Sequence, residues 1–246
     1  MFAACVALAS VVQNLTGFAH GLVLLGLVAM LDLAPLADTA NAAMVLGLVN
    51  SFVYFRSRRA QPPWRLMRPA IISGQVGVAL GVALLMWLSA NATEWLRLLL
   101  GLSITASAAL LVLAHRPKEQ PSPPSSLAGA GFLAGILGGL FSTSGPPIVF
   151  HMYRQPFDIE TIRRCLVLVF GLNSAVRLVL VVGAGGFSSL SIVLAIVVVP
   201  IAFGITHWMA GHPVTMSRTA LNRVVAGFLV VTGALLAISA LGHILG

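Results

Sequence analysis

The sequence predicts an all-α protein that crosses a lipid bilayer several times, and three observations predict it. Of its 246 residues 59% are hydrophobic and 8% charged, against the roughly 25% charged residues of a soluble domain. Apolar runs near the roughly 20 residues that a helix needs to span the hydrocarbon core recur along the chain. Two of these runs are broken by polar and helix-breaking residues, and the breaks are where chemistry is to be sought.

In chain order there are eight such segments, in two sets of four. Residues 38–55, 69–88, 95–113, 165–183, 190–209 and 221–241 are uninterrupted, whereas residues 1–31 and 127–153 are longer and broken, and each of these opens one set. The run from Met1 has no basic stretch before it and equally apolar runs follow, so it reads as a membrane segment rather than a secretory leader. Residues 115–126, HRPKEQPSPPSS, cannot continue a helix and read as an exposed linker. The chain therefore divides into a first repeat over 1–114, the linker over 115–126 and a second repeat over 127–246.

The two sets resemble each other. LTGFAHGLVL (15–24) lies over FSTSGPPIVF (141–150), and LVNS (48–51) over GLNS (171–174). Further on, Gly81 falls opposite Gly204, and Arg97 with Gly101 opposite Arg223 with Gly227. Such internal duplication is a hallmark of transporter folds. The glycines Gly131, Gly135 and Gly139, like Gly77 and Gly81, have the small-xxx-small spacing that brings helix backbones close.

Charge fixes the expected topology. The net charge of +8 comes from 13 Arg and one Lys in short loops, which points to membrane orientation rather than to a nucleic-acid partner. If all eight segments cross, basic residues divide almost evenly between the two faces. If the broken first segment of each repeat enters and leaves on one face, Arg56, Arg58, Arg59, Arg65, Arg68, Arg116, Lys118, Arg154, Arg163, Arg164, Arg218 and Arg223 share a face and Arg97 stands opposite. The positive-inside rule then favours six spans and two re-entrant hairpins, inverted repeats, a cytoplasmic linker and both termini outside.

Broken backbone at membrane depth must face protein or a water-filled cavity. In FSTSGPP (141–147) Ser144 is the expected N-cap, with Pro146 and Pro147 in the first helical turn; Thr16 and Gly17 are expected to play that part in QNLTGFAHG (13–21). Each second arm then starts with free N–H groups at the positive end of a helix dipole, which favours an anion. Gln13, Asn14, Thr16, Gly17 and His20 from the first break, and Ser142, Thr143, Ser144 and Gly145 from the second, are accordingly candidate ligands. Asn50 and Ser51 in one repeat mirror Asn173 and Ser174 in the other, with helix-to-helix hydrogen bonding as the alternative role.

Arg177 lies within an apolar segment, where an arginine costs about 2.5–3.5 kcal/mol on insertion scales. No acidic residue at membrane depth shares its helix, so a cavity, backbone carbonyls, a bound anion or snorkelling to the interface must offset that cost. Asn173, one turn earlier, shares its face. His20, His151 and His207 are candidates for carrying protons, with a structural role as the alternative. Cys5 and Cys165 sit in apolar stretches, give no disulfide framework or metal spacing, and read as core residues. A hydrolase would have to pair Ser142 or Ser144 with His151 and lacks an orienting carboxylate, so no enzyme, cofactor or metal is expected.

The Gly-rich stretch before FSTSGPP, the matching LTGFAHG, the repeated four-segment layout and the asparagine-serine pairs resemble the TauE/SafE family of sulfite and organosulfonate exporters. The resemblance covers nearly the whole chain, with STSGPP standing where many members carry a run of glycines. It implies a multi-pass inner-membrane carrier moving sulfite, sulfoacetate or related sulfur oxyanions outward. The expected partners are that small anion, the lipid bilayer and, as one option for assembly, a second copy of the chain. A channel for the same anion differs in kinetics alone, and the residues do not separate the two.

Overall fold

A computed structural model describes residues 1–16, 19–58, 61–113, 118–211 and 218–245, without the side chains at 16, 57–58, 111–113, 210–211, 218–224 and 245; every regular element in it is an α-helix. The first half of the chain holds α1 (Phe2–Thr16), α2 (His20–Met30), α3 (Leu36–Arg58), α4 (Trp64–Asn91) and α5 (Thr93–Leu113). The second holds α6 (Pro124–Phe141), α7 (Gly145–Tyr153), α8 (Ile159–Gly183), α9 (Ser189–Gly211) and α10 (Arg218–Leu245). Both interrupted segments are therefore pairs of helices, α1 with α2 and α6 with α7, and the arms of each pair pack together.

Among the described residues, α3, α4, α6, α8, α9 and α10 are long and apolar enough to cross a membrane. One assignment changes as a result. Helix α6, read from sequence as one arm of a broken segment, is an uncharged 18-residue helix about 27 Å long at 1.5 Å per residue, close to the core thickness. Helix α5 forms as expected, with Glu94 and Arg97 in its first turns. Arg97 pairs there with Asp32 at 2.6 Å and Glu94 at 3.5 Å. Of the basic residues used for the topology, Arg59 and Arg116 and the side chains of Arg58, Arg218 and Arg223 lie outside the described residues, as do residues 115–117 of the linker.

The tightest seams follow the glycines. Helix α4 runs along α6, and a Cβ on Gly139 would stand 2.5 Å from the Val78 carbonyl and 2.8 Å from Gly81 Cα. A Cβ on Gly131 would stand 2.5 Å from the Ala70 backbone, so the spacing read from sequence does bring these backbones together. Helix α5 meets α10 in the same way, with Gly101 against Gly233. Gly204, matched to Gly81 in sequence, has open space where its Cβ would be.

Helix α2 is buried from His20 to Ala29, which explains its lack of a polar face. Ile72, Val76, Leu80 and Trp87 on α4, with Ile196 on α9 and Ile238 on α10, are exposed apolar side chains of the kind that face lipid. The remaining long contacts bring α3 against α8 and α9, α4 against α8, α1 against α9, α2 against α10 and α5 against α7.

Candidate functional site

The second break is built by three consecutive residues. Ser142 ends α6 in the left-handed conformation, with φ 53°, and its hydroxyl donates to the Ala40 carbonyl of α3. Thr143 Oγ1 donates to the Phe141 carbonyl at 3.2 Å. Ser144 occupies the N-cap position of α7, as expected, but its hydroxyl makes no capping bond. The reason is local: an N-cap side chain accepts from the second or third amide of the helix, and here these belong to Pro146 and Pro147, which have no N–H. The Ser144 oxygen accepts instead from Asn173 Nδ2 of α8 at 2.9 Å. Within the first three helical residues only Gly145 has an amide N–H to offer, fewer than the sequence suggested.

The first break falls later than expected. Helix α1 continues through Thr16, and the N-cap of α2 is Ala19, so Thr16 does not cap; its side chain and all of Gly17 lie outside the described residues. The first turn of α2 keeps its amides, and Gly21 packs so closely on Thr143 that a Cβ there would collide with the threonine hydroxyl. The starts of α2 and α7 thus converge.

Between them lies a cavity of about 70 Å³, several times the roughly 10–15 Å³ that one water requires. Gln13, His20, Asn50, Ser142, Thr143, Ser144, Gly145 and Ser174 line it, with Gly21, Ala43, Leu46, Gly47 and Phe170 as its apolar wall. Both nitrogens of the buried His20 ring lack a well-formed hydrogen bond, although the ring is directed towards Ala9.

Other expected residues lie elsewhere. Asn14 donates to the Ser10 carbonyl and to Thr206 of α9, away from the cavity. Ser51 donates to the Val167 carbonyl at 3.2 Å where α3 crosses α8. There it packs against Gly171, while Ser174 packs against Gly47 on the other side of the crossing. Asn173 stands behind Ser144, itself held by Gln75 Nε2 of α4 at 3.1 Å. His207 is exposed on α9, and His151 lies at the far end of α7 beside Ser126 and Gln155.

Arg177 is fully buried, which rules out snorkelling. Its Nε donates to the Gly139 carbonyl at 2.9 Å, and its Nη1 to Asn41 Oδ1 at 2.9 Å and Met44 Sδ at 3.4 Å. From Asn41 the bonds run on to Ser191 at 3.0 Å, then to Asp38 at 2.6 Å, with the Gly186 carbonyl and Ser188 completing the group. Sequence reasoning missed Asn41, Asp38, Ser191 and Gln75. Asn41 and Asp38, one turn apart on an apolar helix, were the available signal. Arg177 Nη2 alone among the guanidinium nitrogens has no partner among the described residues. No group of three or more His, Cys, Asp or Glu there could hold a metal ion.

The family model described as Sulfite exporter TauE/SafE matches residues 2–236 of the chain. The chain is also 33% identical over 229 residues to the probable sulfite/organosulfonate exporter TauE of Cupriavidus necator, covering 93% of this chain and 90% of that one. No solved structure matches the chain.

Proposed function

This chain belongs to the sulfite exporter TauE/SafE family, and on that premise we propose that it exports sulfite or a small organosulfonate across the inner membrane, binding the anion in the cavity between the starts of α2 and α7. The observation that carries this reading is the convergence of two helix N-termini, with His20, Ser144 and Gly145, on one cavity inside the helix bundle. The partial positive charges of both helix starts add there, in surroundings where little water competes. Arg177, one turn beyond Asn173 on α8, adds a full positive charge behind the cavity wall.

The packing supports two halves related by a pseudo-two-fold, which this reading takes as an inverted repeat working by alternating access. Matched in order, α1–α5 against α6–α10, the contacts α4 with α6 and α1 with α9 become counterparts, as do α3 with α9 and α4 with α8, and α2 with α10 and α5 with α7. Helices α3 with α8, and α5 with α10, pair with their own counterparts, as elements beside a pseudo-two-fold do. Towards the start of α3, the chain of bonds from Arg177 to Asp38 is packed shut and must part for an anion to pass that way. The basic loops face the cytoplasm in this reading.

The test is anion flux from proteoliposomes loaded in turn with sulfite, sulfoacetate, thiosulfate, sulfate and chloride. Saturable flux of sulfite or sulfoacetate is expected, with chloride poorly carried. Flux of chloride alone, or of no anion, would contradict the proposal.

A further inference from the structure

The three hydroxyls of the second break differ in what remains of their hydrogen-bonding capacity. Ser142 and Thr143 each spend their one proton on a backbone carbonyl, those of Ala40 and Phe141. Ser144 is the opposite case: its oxygen accepts from Asn173, and its proton has no partner among the described residues. Asn173 is itself held from behind, because Gln75 Nε2 donates to its Oδ1. An amide whose oxygen is engaged by a donor presents N–H groups to its other neighbour. The direction of both bonds is therefore set at Gln75, a residue of α4 that does not line the cavity.

We infer that Gln75 is a positioning residue for anion recognition, and that the relay Gln75–Asn173–Ser144 aims the Ser144 hydroxyl proton into the cavity. The inference rests on the reading of that cavity as an oxyanion site. The reversed relay, with Ser144 donating to a turned Asn173 and Asn173 donating to Gln75, would direct oxygen lone pairs at the anion. It would also leave the two N–H groups of Gln75 unpaired. The observed direction uses one of those two N–H groups and leaves Gln75 Oε1 and the other N–H without a partner among the described residues, so one donor rather than two goes unbonded. Asn173 is 2% exposed, so water has little access to repair a wrong orientation. A site wired this way takes a ligand that presents a bare oxygen to Ser144, such as sulfite or a sulfonate, and disfavours a group that is protonated at that contact.

The test is a double-mutant cycle on the full-length protein, reading sulfite and sulfate dissociation constants for the wild type, Gln75→Leu, Ser144→Ala and the double variant. Thermal unfolding is followed alongside. A hydrogen bond to a charged acceptor predicts that each single change weakens binding about tenfold or more. The double variant should bind no more weakly than Ser144→Ala alone, since without the hydroxyl there is nothing left to aim. Additive losses, or wild-type affinity in Gln75→Leu, would overturn the relay while leaving the site in place. If Gln75→Leu does not fold, Gln75→Met, unbranched and of similar length, carries the same two outcomes. A wild-type protein that binds neither anion would overturn the reading of the cavity, and the relay with it.

Discussion

Two polar clusters lie inside this apolar bundle, one around Arg177 and one around Ser144, and they differ in what they leave unbonded. Around Arg177 the donors are spent except at Nη2: Nε and Nη1 bond to Gly139, Asn41 and Met44, Asn41 to Gly186 and Ser191, Ser191 and Ser188 to Asp38. Around Ser144 a hydroxyl proton without a partner among the described residues, an imidazole ring without a well-formed hydrogen bond and the first residue of α7 border the cavity. A closed network holds helices together and resists passage; a cluster with unspent donors is incomplete until a ligand arrives. The proposal that the anion sits by Ser144 rests on this difference, where charge alone would have put it on Arg177.

Replacing Arg177 is expected to have the largest effect. Arg177→Gln removes the positive charge behind the cavity and strands acceptors in a buried layer, each at a cost of about 1–3 kcal/mol. Both unfolding temperature and sulfite affinity should fall, with Arg177→Lys keeping part of the affinity. An unfolding temperature that falls while affinity stays at the wild-type value in both variants would make the Arg177 cluster purely structural and sharpen the contrast.

A smaller but cleaner separation is expected within the break. Ser144→Ala should weaken anion binding about 10- to 100-fold with little loss of stability, whereas Ser142→Ala should cost about 0.5–1.5 kcal/mol of stability through its lost bond to Ala40 and change affinity little. Ser51→Ala, at the α3–α8 crossing, should behave as Ser142→Ala does, with the least effect on binding. Denaturation and binding measured on the same preparations check all three, and equal binding losses for Ser142 and Ser144 would break the distinction between spent and unspent hydroxyls.

Much of this frame was legible in the sequence, because lipid imposes simple rules. Segment length, the glycines of α4 and α6, and the two breaks follow from the thickness of the bilayer and the need to satisfy backbone groups. The break residues and Asn50 were legible as polar groups with nowhere to go but inward. Their partners were not. A buried polar side chain declares that it avoids lipid without saying which helix receives it. Asn41 lies 136 residues from Arg177, and Gln75 lies 98 from Asn173. Thr16 was misplaced: α1 runs on through it, and the N-cap position of α2 falls at Ala19. The capping bond assigned to Ser144 failed because the two prolines that mark the helix start also remove the amides it would have bonded.

The most direct test of the account is a structure of the protein with sulfite bound. The account predicts density in the cavity within hydrogen-bonding distance of Ser144 Oγ and the Gly145 amide, with the His20 ring alongside and Arg177 still bonded to Asn41. Sulfite seated directly on Arg177, or outside the space between the starts of α2 and α7, would contradict it.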